Sequence, residues 1–303
     1  MKKAIVSGAN SFIGSALVKL LLERGVEVLA LCRPGRQDKL LAHPNLQIVP
    51  FDMTKVNEFA LPTDSYDVFY HLAWVGGTDV ANRSNYSLQL QNAYWTVEIL
   101  KKAKQIGCQT FVGTGSIMEE EALYVAKVNG KQASRNHIYG AGKLAAHLMC
   151  QSLAVSLGIS FIWGEITNAY GPGEISTRLI NTTLRKCIQG QSPKFTSGKQ
   201  AYDFMYIDDV AKALYRLGEK GKANTSYIVG SGYPQILKKF LLMLQAAVAP
   251  QLPFDFGGLS QTGVMLPLEA FKTDRLQKDT GFKAKVPFEE GIKKTYQWIK
   301  DQS

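Results

Sequence analysis

A phenol and an ammonium stand four residues apart in Tyr139-Gly140-Ala141-Gly142-Lys143. On a helix that spacing sets both side chains on one face. A nearby Lys⁺ favours the phenolate and lowers a tyrosine pKa from its ordinary value of about 10. A tyrosine so held can give or take the proton of a hydroxyl while hydride moves at the carbon. The chain repeats the spacing in Tyr296 and Lys300, on an amphipathic stretch near the C-terminus with no site around it, so spacing alone selects nothing. Position does. Residues 109–114 read as a strand that runs on into Gly115-Ser116, and a hydroxyl there can hold a substrate oxygen beside the phenol. Ser116 has a plainer reading as a helix cap or turn residue. Its company with Tyr139 and Lys143 favours the catalytic one.

Such residues need a scaffold, and the chain opens with one. Lys3-Ala4-Ile5-Val6-Ser7 is a short apolar run with the character of a buried strand, broken at Gly8. From Phe12 the period becomes helical, with Phe12, Ile13, Ala16, Leu17, Leu20 and Leu21 on one side. A glycine turn between strand and helix aims the helix's first N–H groups, and the positive end of its dipole, at one spot suited to a pyrophosphate. The motif Gly8-x-x-Ser11-x-x-Gly14 has serine where a dinucleotide fingerprint has its middle glycine. Further strands are expected at 26–32, 46–50, 66–72, 109–114 and 159–163, with helices at 82–106 and 136–157 between them. This alternation predicts an α/β fold, a Rossmann-type doubly wound parallel sheet whose ligands bind beyond the carboxyl ends of the strands. After Tyr170-Gly171-Pro172-Gly173 the alternation lapses into a turn-rich stretch, with a strand near 204–207, a helix at 208–217, a strand at 226–229 and a helix near 288–300. Residues 1–168 are therefore expected to form the dinucleotide-binding domain, with segments near 202–230 returning to it. Residues 169–303 are expected to form mainly a smaller, less regular substrate lobe.

Composition narrows the class. The 303 residues are 46% hydrophobic and 20% charged, as in an ordinary soluble globular protein. No apolar run approaches the ~18 residues that cross a bilayer, and with the first residues read as entering a strand at once no signal peptide is expected. Cys32, Cys108, Cys150 and Cys187 are widely spaced without a metal pattern, which predicts reduced thiols, no metal and a cytoplasmic location. The net charge of +10 is scattered singly or in pairs such as Lys101-Lys102 and Lys293-Lys294, so neither a nucleic-acid nor a membrane partner is expected.

With these motifs in place, the chain resembles the extended short-chain dehydrogenase/reductases, specifically their sugar-nucleotide epimerase/dehydratase/reductase family. The likeness runs nearly end to end: Ser7–Gly14, Phe51-Asp52, Tyr70-His71-Leu72-Ala73, Asn92, Thr114–Ser116, Tyr139–Lys143, Asn168-Ala169-Tyr170-Gly171-Pro172 and Tyr206-Ile207-Asp208-Asp209-Val210-Ala211. The tail from Thr273-Asp274-Arg275-Leu276 through Gly281-Phe282 to Val286 and Gly291 continues it. The resemblance implies that Ser116, Tyr139 and Lys143 are the catalytic set and that Lys143 also holds the nicotinamide ribose. It implies that Gly8, Ser11 and Gly14 bracket the pyrophosphate, that Asp52 meets the adenine and that Ala73 lines the nicotinamide. Asn10, Phe12, Ile13, Met53, Leu72 and Thr114 complete the expected cofactor lining. Asn168 and Ser116 would contact a nucleotide diphosphate sugar, and a homodimer would form through the helices near 82–106 and 136–157.

Departures from the family pattern bear on substrate. Trp74 and Trp95 stand where small residues are common and are expected to reshape the pocket. Tyr202 takes the place of an arginine that pairs with substrate phosphates, which leaves Arg178, Lys199 or Arg275 to compensate. Asp208 and Asp209 read as capping and anchoring residues, and His71 as structural.

Cofactor and reaction follow from two local details. Leu31-Cys32-Arg33-Pro34-Gly35-Arg36, at the end of the second strand, lacks the acid that meets a ribose 2′-hydroxyl and offers guanidiniums suited to a 2′-phosphate. NADP(H) is therefore expected, with NAD(H) as the alternative. Family dehydratases carry an acid directly after the catalytic hydroxyl, whereas Ser116 is followed by Ile117-Met118 and Glu119 comes too late. A 4-ketoreductase is the expected activity, and an NDP-sugar 4-epimerase retaining NAD is the alternative. A non-catalytic nucleotide-sensing regulator is a remote third, since all three catalytic residues are present.

Overall fold

In the computed structural model Ala4, Ile5 and Val6 have no exposed surface, and the rest of the chain is laid around that strand. The structure describes the chain except residues 36–39, 41, 61, 63, 128–132, 261–262 and 303. In chain order the first half comprises β1 (Lys3–Ser7), α1 (Phe12–Glu23), β2 (Glu27–Cys32), β3 (Leu46–Pro50), β4 (Val68–His71), α2 (Val80–Arg83) and α3 (Tyr86–Gln105). It continues with β5 (Thr110–Ser116), α4 (Met118–Lys127), α5 (His137–Leu157), β6 (Ser160–Ile166), β7 (Asn168–Tyr170) and α6 (Leu179–Ile188). The remainder holds β8 (Lys194–Phe195), β9 (Ala201–Tyr202), β10 (Phe204–Tyr206), α7 (Ile207–Lys220), β11 (Thr225–Val229) and β12 (Gln235–Ile236). It closes with α8 (Leu237–Val248), β13 (Asp255–Phe256), α9 (Asp274–Thr280) and α10 (Phe288–Asp301).

Seven parallel strands form the central sheet in the order β3-β2-β1-β4-β5-β6-β11. The chain winds outward from β1 to β3, then restarts at β4 on the other side of β1. That reversal opens a crevice at the carboxyl ends of β1 and β4, the place where such sheets take ligands. The expected α/β, doubly wound parallel sheet is the fold observed.

Both faces are covered. Leu17, Val18 and Leu21 of α1 pack with Val210, Leu214 and Leu217 of α7 on one face. Ile99, Leu100 and Ala103 of α3 pack with Ala146, Cys150 and Ala154 of α5 on the other. A third core, with Ile180, Leu184, Phe204, Phe240, Leu244, Phe288 and Ile292, joins α6, α8 and α10. Tyr170 belongs to it, and its hydroxyl donates to the Phe288 carbonyl at 3.1 Å. Asp209 ties the tail down: its Oδ2 accepts the N–H groups of Lys285 at 2.7 Å and Val286 at 2.8 Å. The anchoring reading of Asp209 thus matches its contacts. The four cysteines are free and buried.

Two local readings change. The helix expected over 82–106 is broken after Arg83, because Asp79 caps α2 and Asn85 starts a new cap, its side chain accepting from Leu88 N. Met118–Lys127, for which no helix was expected, form α4, with Glu119, Glu120 and Glu121 in its first turn, where a helix dipole favours acids.

Candidate active site

Glycines set the distances between the elements that meet here. A Cβ on Gly8, whose φ is +69°, would stand 2.8 Å from Ala73 N, so β1 and the end of β4 close to a separation that only glycine permits. A Cβ on Gly14 would stand 2.1 Å from the Gly8 carbonyl oxygen. Ser11 caps α1, accepting from Gly14 N at 3.1 Å, while its own N–H donates to Gly8 O at 3.0 Å. Serine at the middle position therefore spends its polar groups on the turn. The Phe12 and Ile13 N–H groups in the first turn of α1 have no intrahelical acceptor, as in any helix start. Glycine-lined backbone and free helix N–H groups fit a dinucleotide pyrophosphate.

Around this cradle, Ala73 and Leu72 are half-buried and Met53 is buried. Asp52 caps a short 3-10 turn, with Oδ1 accepting from Thr54 N at 2.9 Å and Thr54 Oγ1 at 2.8 Å. Arg33 is exposed just beyond β2, and Arg36 lies outside the described residues. His71 is structural: Nδ1 meets Ser7 Oγ at 2.7 Å, Nε2 meets Thr96 Oγ1 at 3.2 Å, and burial pushes its pKa down to about 3. Asn92 pins the loop after β4, accepting from Val75 N at 2.8 Å and donating to Val75 O at 3.0 Å.

Ser116, Tyr139 and Lys143 meet from β5 and α5. Gly140 lets α5 approach α4, since a Cβ there would stand 2.0 Å from Met118 O, and Gly142 does the same against Gln89 of α3. The Ser116 hydroxyl accepts from Met118 N at 3.3 Å and lies in hydrogen-bond reach of Tyr139. It is thus a helix cap and a neighbour of the phenol at once. The buried Lys143 donates Nζ to Thr114 O at 2.8 Å and stands 3.8 Å over the Trp74 ring. Trp74 is held there by a 2.8 Å bond to Gln89 and meets the Tyr139 ring edge-on at 6.1 Å.

The expected lowering of the Tyr139 pKa by Lys143 is not found. Burial raises it, opposed chiefly by Arg83 and Arg178 and by the Ser116 hydrogen bond. Lys143 turns toward Thr114 and Trp74 instead, and burial pushes its own pKa down to about 7, with Glu119 acting the other way. Tyr139 is therefore a protonated phenol in the protein without cofactor.

A cavity of about 370 Å³ opens before this set, lined by Ser116, Tyr139, Asn168 and Arg178, among others. Asn168 Nδ2 donates to Asp203 O at 3.0 Å, and Arg178 stands 3.8 Å from Glu174. Sequence reasoning missed Arg83. Its guanidinium lies 4.3 Å over the Tyr139 ring and lines the same cavity, as does Glu121. Nothing in the local pattern of residues 80–83 marks it. Arg275 is not brought here: it lies on α9 at the edge strand, donating to Ser226 O at 3.3 Å. Lys199 also lies outside the cavity wall. Of Trp74 and Trp95, Trp74 reaches the site, while Trp95 is half-buried and packs against the core of α3 and α5.

Beneath Ser116 sits a cluster the sequence did not announce. Glu119 accepts from Ser116 N at 2.8 Å, from Trp163 Nε1 at 3.1 Å to each oxygen, and meets His147 Nδ1 at 3.1 Å. Glu165 is beside it, its carboxyl pushed up to about 9 by burial and by Glu119 and Glu120. Glu119, His147 and Glu165 bring donor atoms within 4.8 Å of one another, but both Glu119 oxygens already accept N–H groups, so the arrangement is a hydrogen-bonded one.

Residues 4–230 match the model of the NAD dependent epimerase/dehydratase family. The chain belongs to that family. Among curated relatives it is 26% identical over 295 residues to CDP-abequose synthase of Salmonella typhimurium, covering 95% of each chain. Among solved structures, a UDP-N-acetylglucosamine 4-epimerase from Methanobrevibacter ruminantium superposes with a TM-score of 0.82 at 19% identity, covering 100% of this chain and 99% of the other. The Bordetella bronchiseptica enzyme WbmF in complex with NAD⁺ superposes with a TM-score of 0.78 at 20% identity, covering 99% of this chain and 93% of the other. These two share the fold. The family is one of NAD-dependent enzymes, and among the described residues no helix is long and apolar enough to cross a membrane.

Proposed function

We propose that the chain is a nicotinamide-dependent 4-ketoreductase of a nucleotide diphosphate sugar. The observation that carries this reading is Tyr139, a phenol kept protonated by burial, in reach of Ser116 on the wall of the cavity. A protonated phenol beside a hydroxyl is equipped to donate to a carbonyl oxygen as that oxygen gains charge. The nicotinamide, when bound, supplies the hydride. Ser116 orients the carbonyl oxygen, Tyr139 gives it a proton with Arg83 and Arg178 favouring the phenolate left behind, and Lys143 would hold the nicotinamide ribose. Asn168, Arg178 and Arg83 present hydrogen bonds and positive charge to the sugar nucleotide, in the role first expected of Arg275 and Lys199.

NADP(H) is the cofactor in this reading and NAD(H) the alternative. Arg33 is exposed and free to fork onto a 2′-phosphate, and no carboxylate stands between Leu31 and Arg36. Residues 1–168, with 202–230, serve the cofactor, and 169–303 the substrate. A homodimer through α3 and α5 is supported by exposed Tyr86, Leu90 and Tyr94 at four-residue spacing on α3 and Leu148, Met149 and Val155 on α5. Free, buried cysteines suit the reducing cytoplasm.

The test is to identify any nucleotide that copurifies, then to supply NADPH or NADH with a nucleotide 4-ketosugar. Sugar-dependent NADPH oxidation supports the reading, and equal or tighter NADH binding overturns the cofactor preference. Tightly held NAD with inversion at C4 and no net oxidation would make the chain a 4-epimerase, which the same three residues would serve. Bound cofactor without turnover of any nucleotide sugar would leave a sensing role.

A further inference from the structure

Two glycines on β5 have no room for a side chain, and what fills the space is a polar assembly. A Cβ on Gly113 would stand 2.3 Å from the Trp163 ring, and one on Gly115 would stand 2.2 Å from Trp163 Nε1 and 2.4 Å from Glu119 Oε1. The register pairs Gly113 with Trp163 and Gly115 with Glu165 across β5 and β6. His147 stacks on the Trp163 ring at 5.1 Å with 16° between planes. Four elements thus meet on one carboxylate: β5 through Ser116 N, β6 through Trp163, α5 through His147, and α4 as its carrier. Glu119 is 1% exposed.

An anion is costly to bury unless it is hydrogen-bonded and opposed by a cation. The N–H groups supply the first condition. For the second, Lys143 is a buried cation near Trp163, its Nζ 6.0 Å from that ring. The groups facing Lys143 are Thr114 O from β5, the Trp74 ring from the loop after β4, His71 from β4, Trp163 from β6 and Glu119 from α4. Those around Glu119 are His147, Glu165, Glu120, Tyr139 and Lys143. Glu165 adds no negative charge near neutrality, because its carboxyl stays protonated up to about pH 9, and its buried Oε2 has no hydrogen-bond partner. His71 is held neutral by burial. Glu119 is the acidic side chain whose proximity raises the Lys143 pKa against burial.

We propose that Glu119 is a positioning residue. It ties the strand end that carries Ser116 to the helix that carries Tyr139 and Lys143, and it supplies the negative charge that keeps Lys143 an ammonium for the cofactor ribose. The proposal rests on the reading of Lys143 as a cofactor-binding cation, which is tested separately in the same experiment.

The experiment titrates NADPH onto the full chain by fluorescence from about pH 5.5 to 8.5. Wild type should lose affinity as pH rises through the Lys143 pKa, at about 7 in the free protein. Glu119→Gln keeps the size and an acceptor for Ser116 N but removes the charge. Its loss of affinity should begin about one pH unit lower, the scale of shift expected when an opposite charge is removed. Glu165→Gln, in the same cluster but already uncharged, should leave the midpoint where it was. If Glu119→Gln does not fold, Trp163→Phe carries the test: it deletes two hydrogen bonds to the carboxylate, keeps an aromatic ring, and should move the midpoint the same way by less. A midpoint unchanged in both variants, or moved as much by Glu165→Gln, overturns the role of Glu119. Wild type that fails to bind NADPH and NADH, or binds as well after Lys143→Met, overturns the cofactor reading beneath it.

Discussion

Gly14→Ala tests the cofactor cradle with one added carbon. Gly14 does not have a positive φ, so alanine is free of backbone strain and acts through space alone. Its Cβ would lie 2.1 Å from the Gly8 carbonyl oxygen, 2.9 Å from the Gly8 carbonyl carbon and 2.9 Å from Ser11 Oγ. Ordinary contact begins at 3.4 Å, so the start of α1 must retreat from β1 by about 1.3 Å, the difference between 3.4 and 2.1. Backbone carbonyl and helix start are both fixed by the core, and overpacking of this kind costs about 1–3 kcal/mol. The retreat also breaks the 3.1 Å cap between Gly14 N and Ser11 Oγ, worth about 1 kcal/mol. A stability loss of about 2–4 kcal/mol should appear in urea unfolding. If Gly8 and the α1 N-terminus seat the pyrophosphate, displacing them by more than 1 Å should weaken NADPH and NADH at least about tenfold, equivalent to ~1.4 kcal/mol. Gly25→Ala is the control. Its φ of +73° makes alanine cost about 1 kcal/mol, yet nothing lies within 4 Å of its Cβ, and cofactor affinity should be unchanged. Equal cofactor affinity in Gly14→Ala and wild type, with the stability loss present, would refute the placement of the pyrophosphate.

Three further outcomes are expected. Tyr139→Phe should lower kcat on the identified sugar nucleotide by about 10²–10⁴ while cofactor affinity, measured by titration, stays within a few-fold. Glu165→Gln should change the pH dependence of unfolding. The wild-type carboxyl is raised from 4.5 to about 9 in the folded state, so its contribution to stability is complete below pH 4.5 and declines as pH rises toward 9. The glutamine variant lacks that decline, and its urea midpoint should exceed that of wild type at pH 8. Asp209→Ala should cost about 2–4 kcal/mol in urea unfolding, because two part-buried backbone N–H groups lose a charged acceptor together. A loss below 1 kcal/mol would show that the tail is held by Leu276, Phe282 and Phe288 alone.

What could be read along the chain was whatever short-range geometry decides. Strand-to-helix alternation, the Gly8 turn and the Tyr139–Lys143 face depend on residues a few positions apart, and their periods are visible in one dimension. The same logic set aside Tyr296 and Lys300, which the structure places on α10 beside the third core. The break between α2 and α3 was legible too, in Asp79 and Asn85, had caps been weighed above period.

The charges around the phenol were decided elsewhere. Glu119 is three residues from Ser116, yet its surroundings come from His147 and Trp163, 28 and 44 residues away. Arg83, on α2, reaches Tyr139, and Trp74, in the loop after β4, reaches Lys143, through contacts between residues 56 and 69 positions apart. Arg275 and Trp95 fit a site on paper, but one lies at an edge strand and the other packs half-buried against the core. Sequence by itself determined the fold and marked Ser116 and Tyr139, which line the cavity, and the buried Lys143 beside them, because local periodicity and turn chemistry bear on them. Whether the phenol is a proton donor or a phenolate was left to tertiary structure, because burial and opposing charge are set by residues that the fold alone brings together.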